Sequence, residues 1–218
     1  MTSRQQVLDT AQRLLAAGLV EGTSGNVSAR LPDGTVCLTP SSLAYETMTV
    51  DDLVVCDLDG KVVDGDRSPT TEKALHLACL RRYPEVGAVI HSHAEFATMF
   101  AVLRRPIPAL IEEVVVYVGG DVPVAEYRGT GSDELGDEVA SWLGDRSAVL
   151  LANHGMVAVG RDPDEAFHNT ALVERTARIL WGAQLLGRSI GSEPHDLPPK
   201  VNADFAGVYS YVRGTWES

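Results

Sequence analysis

Lysine is almost missing from this chain. Only Lys61, Lys73 and Lys200 occur among 218 residues, and thirty acidic against eighteen basic side chains leave a formal charge of −12. That balance excludes nucleic acid and an anionic membrane as the main partner, since both demand a positive face. An anionic ligand must instead be met by a metal, backbone N–H groups or arginine. Cysteine is as scarce. Cys37, Cys56 and Cys79 are odd in number and widely spaced with no Cys-x-x-Cys, so they read as reduced core thiols rather than a disulfide frame. Long apolar runs are absent too, and none approaches the roughly 18 residues of a membrane span. Even the first helical stretch is interrupted by Asp9 and Arg13, which makes it amphipathic rather than a signal peptide. There are no repeats or low-complexity tracts, and 44% hydrophobic with 22% charged residues is an ordinary globular composition. One domain over residues 1–218 in the cytoplasm is the expectation.

What is present alternates in period. Val7, Leu8, Ala11, Leu14, Leu15 and Leu19 recur at helical spacing over residues 4–19. A glycine-rich turn, Gly22-Thr23-Ser24-Gly25-Asn26, then leads into a hairpin across Pro32-Asp33-Gly34, and Asp59-Gly60 marks another. Thr70 and Thr71 offer an N-cap to a helix whose first turn carries Glu72. Val86 to Ile90 is an apolar strand running directly into His91-Ser92-His93. A helix over residues 95–103 is followed by β-rich segments at residues 114–118 and 122–125, a helix over 132–143, and a buried strand at 148–151 ending in Asn153-His154-Gly155. Asp162-Pro163 caps a long helix to about residue 186. From about residue 191 a proline-broken tail, expected to be mobile, carries Tyr209, Tyr211 and Trp216. Hairpins mixed with crossovers imply a mixed sheet between helical layers.

Chemistry concentrates at the strand ends. His91 and His93 stand at i and i+2, so both rings leave one face of the sheet. His154 ends a second strand, where Gly155 lets the chain turn sharply. Three such imidazoles would form a catalytic-type zinc set with one position open. Glu72 would serve as a proton acceptor if its helix N-terminus faces that metal, and His76, at i+4, could orient it from the same helical face. The glycine-rich turn and Thr39-Pro40-Ser41-Ser42 are candidate anion cradles, each equally readable as a plain turn.

In this order, Gly22-Thr23-Ser24-Gly25-Asn26-Val27-Ser28, Thr39-Pro40-Ser41, Thr70-Thr71-Glu72, His91-Ser92-His93 and Asn153-His154-Gly155 resemble the class II aldolase/adducin family. The likeness runs from about Val7 to Leu186. It implies a three-layer α/β/α fold around a central mixed, mainly antiparallel sheet. It also implies one Zn2+ per subunit and a cyclic homotetramer with active sites between subunits, acting on a phosphorylated sugar. By that resemblance His91, His93 and His154 would bind the metal, with Glu72 as acid/base and additional ligand. Thr23, Asn26, Ser41, Ser42, Thr70 and Thr71 would hold the substrate phosphate. The reaction so implied is cleavage of a ketose 1-phosphate, L-fuculose 1-phosphate in the first instance, to dihydroxyacetone phosphate and an aldehyde. The leaving-group acid is open among Glu112, Glu113, Tyr117 and the C-terminal Tyr209. Glutamate at position 72, where the family's 4-epimerases carry aspartate, favours the aldolase over an epimerase. A keto-acid phosphate decarboxylase, a lysine-based aldolase through Lys73 and a non-enzymatic adducin-like assembly domain are the remaining alternatives.

Overall fold

The computed structural model describes residues 3–217. Its frame is one eight-stranded sheet: β1 (Asn26–Arg30), β2 (Val36–Leu38), β3 (Val54–Cys56), β4 (Val62–Asp64), β5 (Ala88–Ser92), β6 (Val124–Ala125), β7 (Ala148–Leu151) and β8 (Gly155–Gly160). The spatial order is β4-β3-β2-β1-β5-β8-β7-β6. Every neighbouring pair is antiparallel except β6 with β7. The expected mixed, mainly antiparallel sheet is therefore what forms.

Seven α-helices accompany it among the described residues. α2 (Lys73–Arg82) and α5 (Asp133–Leu143) lie on one face. α1 (Arg4–Ala16), α3 (Glu95–Leu103) and α6 (Pro163–Ile190) lie on the other, while α4 (Glu112–Val118) packs on α6 and on α7 (Pro199–Gly214). Each face has its own apolar core. Val27, Ala29, Ala88, Ile90 and Ala158 belong to the first, and Val89, Val157, Val159, Val149 and Leu151 to the second. Strand alternation separates the two sets, and the three thiols are free and buried within these cores, as expected.

Several elements end where the sequence says they should. Asp162 caps α6 by accepting from the Glu165 N–H, and Ser132 caps α5 by accepting from the Leu135 N–H. α3 spans Glu95–Leu103 as expected. The first helix stops at Ala16 rather than at residue 19, because Gly18 turns to φ 67°. α2 begins one position later than expected, with Glu72 at the cap rather than in the first turn, because the Thr70 hydroxyl accepts the Glu72 N–H and closes a turn ahead of the helix.

The clearest departure is residues 114–118, expected as a strand and found as helix α4. Consecutive valines favour strands locally. A strand would send Val114 and Val115 to opposite faces, whereas the helix buries both together with Val118. Glu112 and Glu113 in its first turn suit the helix dipole, and Gly119 ends it in the left-handed conformation at φ 95°. The tail from residue 191 contains α7, which lies on α4 and buries Tyr209 against Gly119.

Gly119 joins these two helices under tight constraint. A Cβ there would sit 2.5 Å from the Tyr209 ring, on a backbone that strains any L-residue. Gly119→Ala is expected to cost about 1–3 kcal/mol of stability, read from urea unfolding, and an unchanged midpoint would refute this account of the α4–α7 junction.

Candidate metal centre

Register brings the polar residues together. β1 pairs with β5 so that Asn26 lies opposite His91 and Ser28 opposite Val89. Paired residues share a face, so Asn26, Ser28 and His91 all point toward the α2 side, away from Val27 and Ile90. On α2, His76 follows the cap residue Glu72 by one helical turn and meets β1 from above. The result is a buried polar seam between β1 and α2, on the face of the second core.

Three imidazoles converge at its end. His91 lies at the end of β5, His93 just beyond it, and His154 in the turn from β7 to β8. One ring nitrogen from each lies within 4.8 Å of the others, and the ring centroids are 4.7 to 5.1 Å apart. Gly155 makes this approach feasible, since a Cβ there would meet the Ser92 carbonyl at 2.4 Å and the His93 ring at 2.9 Å. Asn153, with φ 58°, tips His154 inward. Arg104 clamps it there, its Nε and Nη2 donating to Asn153 Oδ1 at 3.2 and 3.1 Å. Arg104 escaped the sequence reading because nothing local to residue 104 points to a turn almost fifty positions later.

The donor set fits a divalent cation. His91 donates Nδ1–H to the Met156 carbonyl at 2.9 Å, which leaves a lone pair on Nε2. That lone pair faces His93 Nε2 at 3.0 Å and Glu72 Oε2 at 3.2 Å. Glu72 Oε1 is buried without a hydrogen-bond partner, 3.5 Å from His154 Nε2. Electron-rich atoms brought this close call for a positive charge between them. Burial, and then the neighbouring histidines, holds the His91 pKa well below its ordinary value, and His93 is lowered for the same reasons. Both rings are thus neutral near pH 7, the form that ligates.

Glu72 is fixed from its other side. Asn26 Nδ2 donates to Glu72 Oε2 at 3.0 Å, His76 Nε2 lies 2.5 Å from Asn26 Oδ1, and Ser28 Oγ lies 2.7 Å from His76 Nδ1. The expectation for His76 was direct contact with Glu72 along the helix; the structure instead passes the contact through Asn26. Ser28 was missed as a functional residue, although its i+2 relation to Asn26 on a strand was the available signal.

The hydroxyl residues lie on two strands of chain drawn side by side. Pro40 bridges Pro69, the Ser41 N–H donates to the Ser68 carbonyl at 3.0 Å, and the Thr70 N–H donates to the Thr39 carbonyl at 3.1 Å. The bridge sets Ser41 beside Ser68 and Thr70 beside Thr39, with Ser42 and Thr71 following on their own segments in opposite directions. Ser42 takes φ 57°, the left-handed conformation that the turn requires even without glycine. Thr23 is exposed in the loop leading to Asn26.

Glu112 and Tyr209 are placed elsewhere in the subunit. Glu112 is exposed in the first turn of α4, and Glu113 beside it pairs with Arg175. The Tyr209 hydroxyl bonds to Ser147 and to the Asp145 carbonyl, where burial raises its pKa. Ser147 precedes β7, whereas His154 follows its far end, so the two sites occupy opposite ends of that strand. A cavity of about 710 Å3 between α4 and α7, bordered by Leu110, Arg146 and Ala203, also lies apart from the histidines.

A sheet of this topology carrying three histidines and a carboxylate defines a class, and the comparisons agree. Residues 5–181 match the model described as Class II Aldolase and Adducin N-terminal domain. The chain belongs to the class II aldolase/adducin family. Over 205 residues it is 40% identical to L-ribulose-5-phosphate 4-epimerase UlaF of Salmonella paratyphi A, covering 88% of this chain and 89% of that protein. The solved structure of an L-fuculose 1-phosphate aldolase superposes with a TM-score of 0.87 at 34% identity, covering 96% of this chain and 98% of that one. An L-fuculose-1-phosphate aldolase from Thermus thermophilus superposes with a TM-score of 0.76 at 27% identity, over 88% of this chain and 97% of that one.

The expectation of a ketose 1-phosphate aldolase is overturned by the first of these relatives. The sequence likeness falls on a 4-epimerase, and the aldolase likeness is a structural one at lower identity. Glu72 does not discriminate between the two, because glutamate and aspartate differ by one methylene, while both reactions need a carboxylate beside the reacting bond.

Burial sets a pH dependence for the metal-free protein. It pushes the His76 pKa down to about 3 and lowers those of His91 and His93. Unfolding releases these rings to titrate near about pH 6.5, so below that pH the unfolded state binds more protons. The stability these neutral rings contribute is present above the unfolded value and is lost as pH falls. Urea midpoints of chelated protein are expected to drop from about pH 7.5 to about pH 5; midpoints flat across that range would show that the histidines are not held neutral.

Proposed function

We propose that this chain is a divalent-metal-dependent sugar-phosphate 4-epimerase, with L-ribulose 5-phosphate as the substrate class to try first. The observation that carries the reading is the 40% identity over 205 residues to a protein of that name. The geometry supports it with the parts that inversion at C4 requires.

Inversion by cleavage and re-addition balances without a co-reactant. The C4 hydroxyl gives up its proton, the C3–C4 electron pair passes into an enediolate over C2 and C3, and C4 becomes an aldehyde carbon. The aldehyde turns its other face, the bond re-forms and the proton returns. A divalent cation held by His91, His93 and His154, zinc by family likeness, would supply Lewis acidity to the substrate's carbonyl oxygen. Glu72, with Oε1 free of any hydrogen-bond partner, would accept and return the proton. Ser41, Ser42, Thr70 and Thr71, with Thr23 in the adjoining loop, would receive the phosphate through hydroxyl and backbone N–H groups. Those neutral donors and the cation answer the shortage of lysine. Asn26 would give one Nδ2 proton to Glu72 and have the other to offer the phosphate.

Assembly forms part of the proposal. Val102 and Leu103 on α3, with Trp181, Leu185 and Leu186 on α6, are exposed apolar residues, suited to contact between copies in a homotetramer. Glu112, exposed at the start of α4, would then be available to a neighbouring site. The buried, reduced thiols accord with a cytoplasmic setting.

Metal-loaded protein incubated with 13C-labelled L-ribulose 5-phosphate is expected to yield the C4 epimer without net aldehyde release. A chelator should abolish this, and Glu72→Gln should slow it by roughly 10²-fold or more while metal is retained. Absence of the epimer, or stoichiometric aldehyde, would overturn the epimerase reading.

A further inference from the structure

We propose that His76 is a positioning residue for Glu72, acting through Asn26 in a chain of one-way hydrogen bonds that starts at Ser28. The inference rests on the epimerase reading for its turnover readout alone. Its structural basis is the buried seam between β1 and α2.

Four buried side chains form this seam. Ser28 and His76 are fully buried, and Asn26 and Glu72 are 5% and 6% exposed. Two come from β1 at i and i+2 and two from the start of α2 at i and i+4, so a strand period and a helix period interlock. No water can rescue a broken bond cheaply in such a place.

Donor and acceptor roles follow from one end. Glu72 Oε2 accepts, so the Asn26 group 3.0 Å away must be its Nδ2 donor. That orientation turns Asn26 Oδ1 toward His76, whose Nε2 at 2.5 Å must then carry the proton. His76 Nδ1 is left as an acceptor, and Ser28 Oγ at 2.7 Å donates to it. Burial keeps the ring neutral, and a neutral ring has a single proton to place. If His76 donated from Nδ1 instead, two acceptors would face one another between Nε2 and Oδ1. The amide would then be free to flip, presenting Oδ1 to the Glu72 carboxylate. His76 therefore locks the amide that locks the carboxylate, leaving Oε1 as the oxygen available at the metal centre.

Apolar His76→Leu has similar bulk and removes both nitrogens, whereas His76→Gln can restore both contacts, its Nε2 donating to Asn26 and its Oε1 accepting from Ser28. We expect His76→Leu to lower kcat roughly tenfold or more, with KM changed less than about twofold and zinc content unchanged. His76→Gln should recover to within about threefold of wild type. In the Glu72→Gln background, His76→Leu should add no further loss, because both act through one carboxylate. Independently of turnover, the Asn26 carboxamide protons, followed by NMR, should exchange slowly in wild type and His76→Gln and quickly in His76→Leu. Full kcat in His76→Leu, equal loss in the Leu and Gln variants, or equal amide protection in all three would overturn the relay. Wild-type protein that shows the protected amide yet does not epimerise L-ribulose 5-phosphate would overturn the proposed substrate and leave the relay supported by its exchange data.

Discussion

The antiparallel register of β1 on β5 is the constraint on which the rest depends. It sets Asn26 opposite His91, and so lets one carboxylate from α2 above lie 3.0 Å from the Asn26 amide and 3.2 Å from the His91 ring. A slip of one residue would turn Asn26 and Ser28 into the apolar core beneath and bring Val27 up against Glu72. Both cores resist that slip, because Val27, Ala29 and Ile90 fill one side and Val89 the other. Polar seam and apolar packing thus specify the same alignment.

The seam also bears on how a chain with so few lysines would meet the anionic substrate proposed for it. Its own side chains supply a concentration of lone pairs rather than positive charge, and a cation fitting those lone pairs would provide what the sequence omits. The hydroxyls at Ser41, Ser42, Thr70 and Thr71 offer neutral donors alongside. Rigid supports stand behind each part: the Met156 carbonyl behind His91, Arg104 and Asn153 behind the His154 turn, and Asn26 behind Glu72. Such outer contacts fix ligand orientation as firmly as the ligands' own strands do.

Much of this was legible in the sequence because the signals are local. His91-Ser92-His93 after an apolar strand, His154-Gly155 after another, and the cap at Asp162 each state their geometry within a few residues. α4 was misread because three consecutive valines carry a strand preference that the burial pattern of Val114, Val115 and Val118 overrides. The clamp from Arg104 and the path from His76 through Asn26 were hidden because they join positions separated by tens of residues. The choice between aldolase and epimerase was misjudged from one methylene at Glu72, where the local chemistry is common to both.

The central claim is that His91, His93 and His154 form one cation site with Glu72 at its edge. Crystals of zinc-loaded protein, measured across the zinc absorption edge, test it directly. The account predicts one anomalous peak per subunit at about 2.0–2.1 Å from a nitrogen of each of the three histidines. No peak there, or an ion held elsewhere while the three rings keep their places, would contradict it.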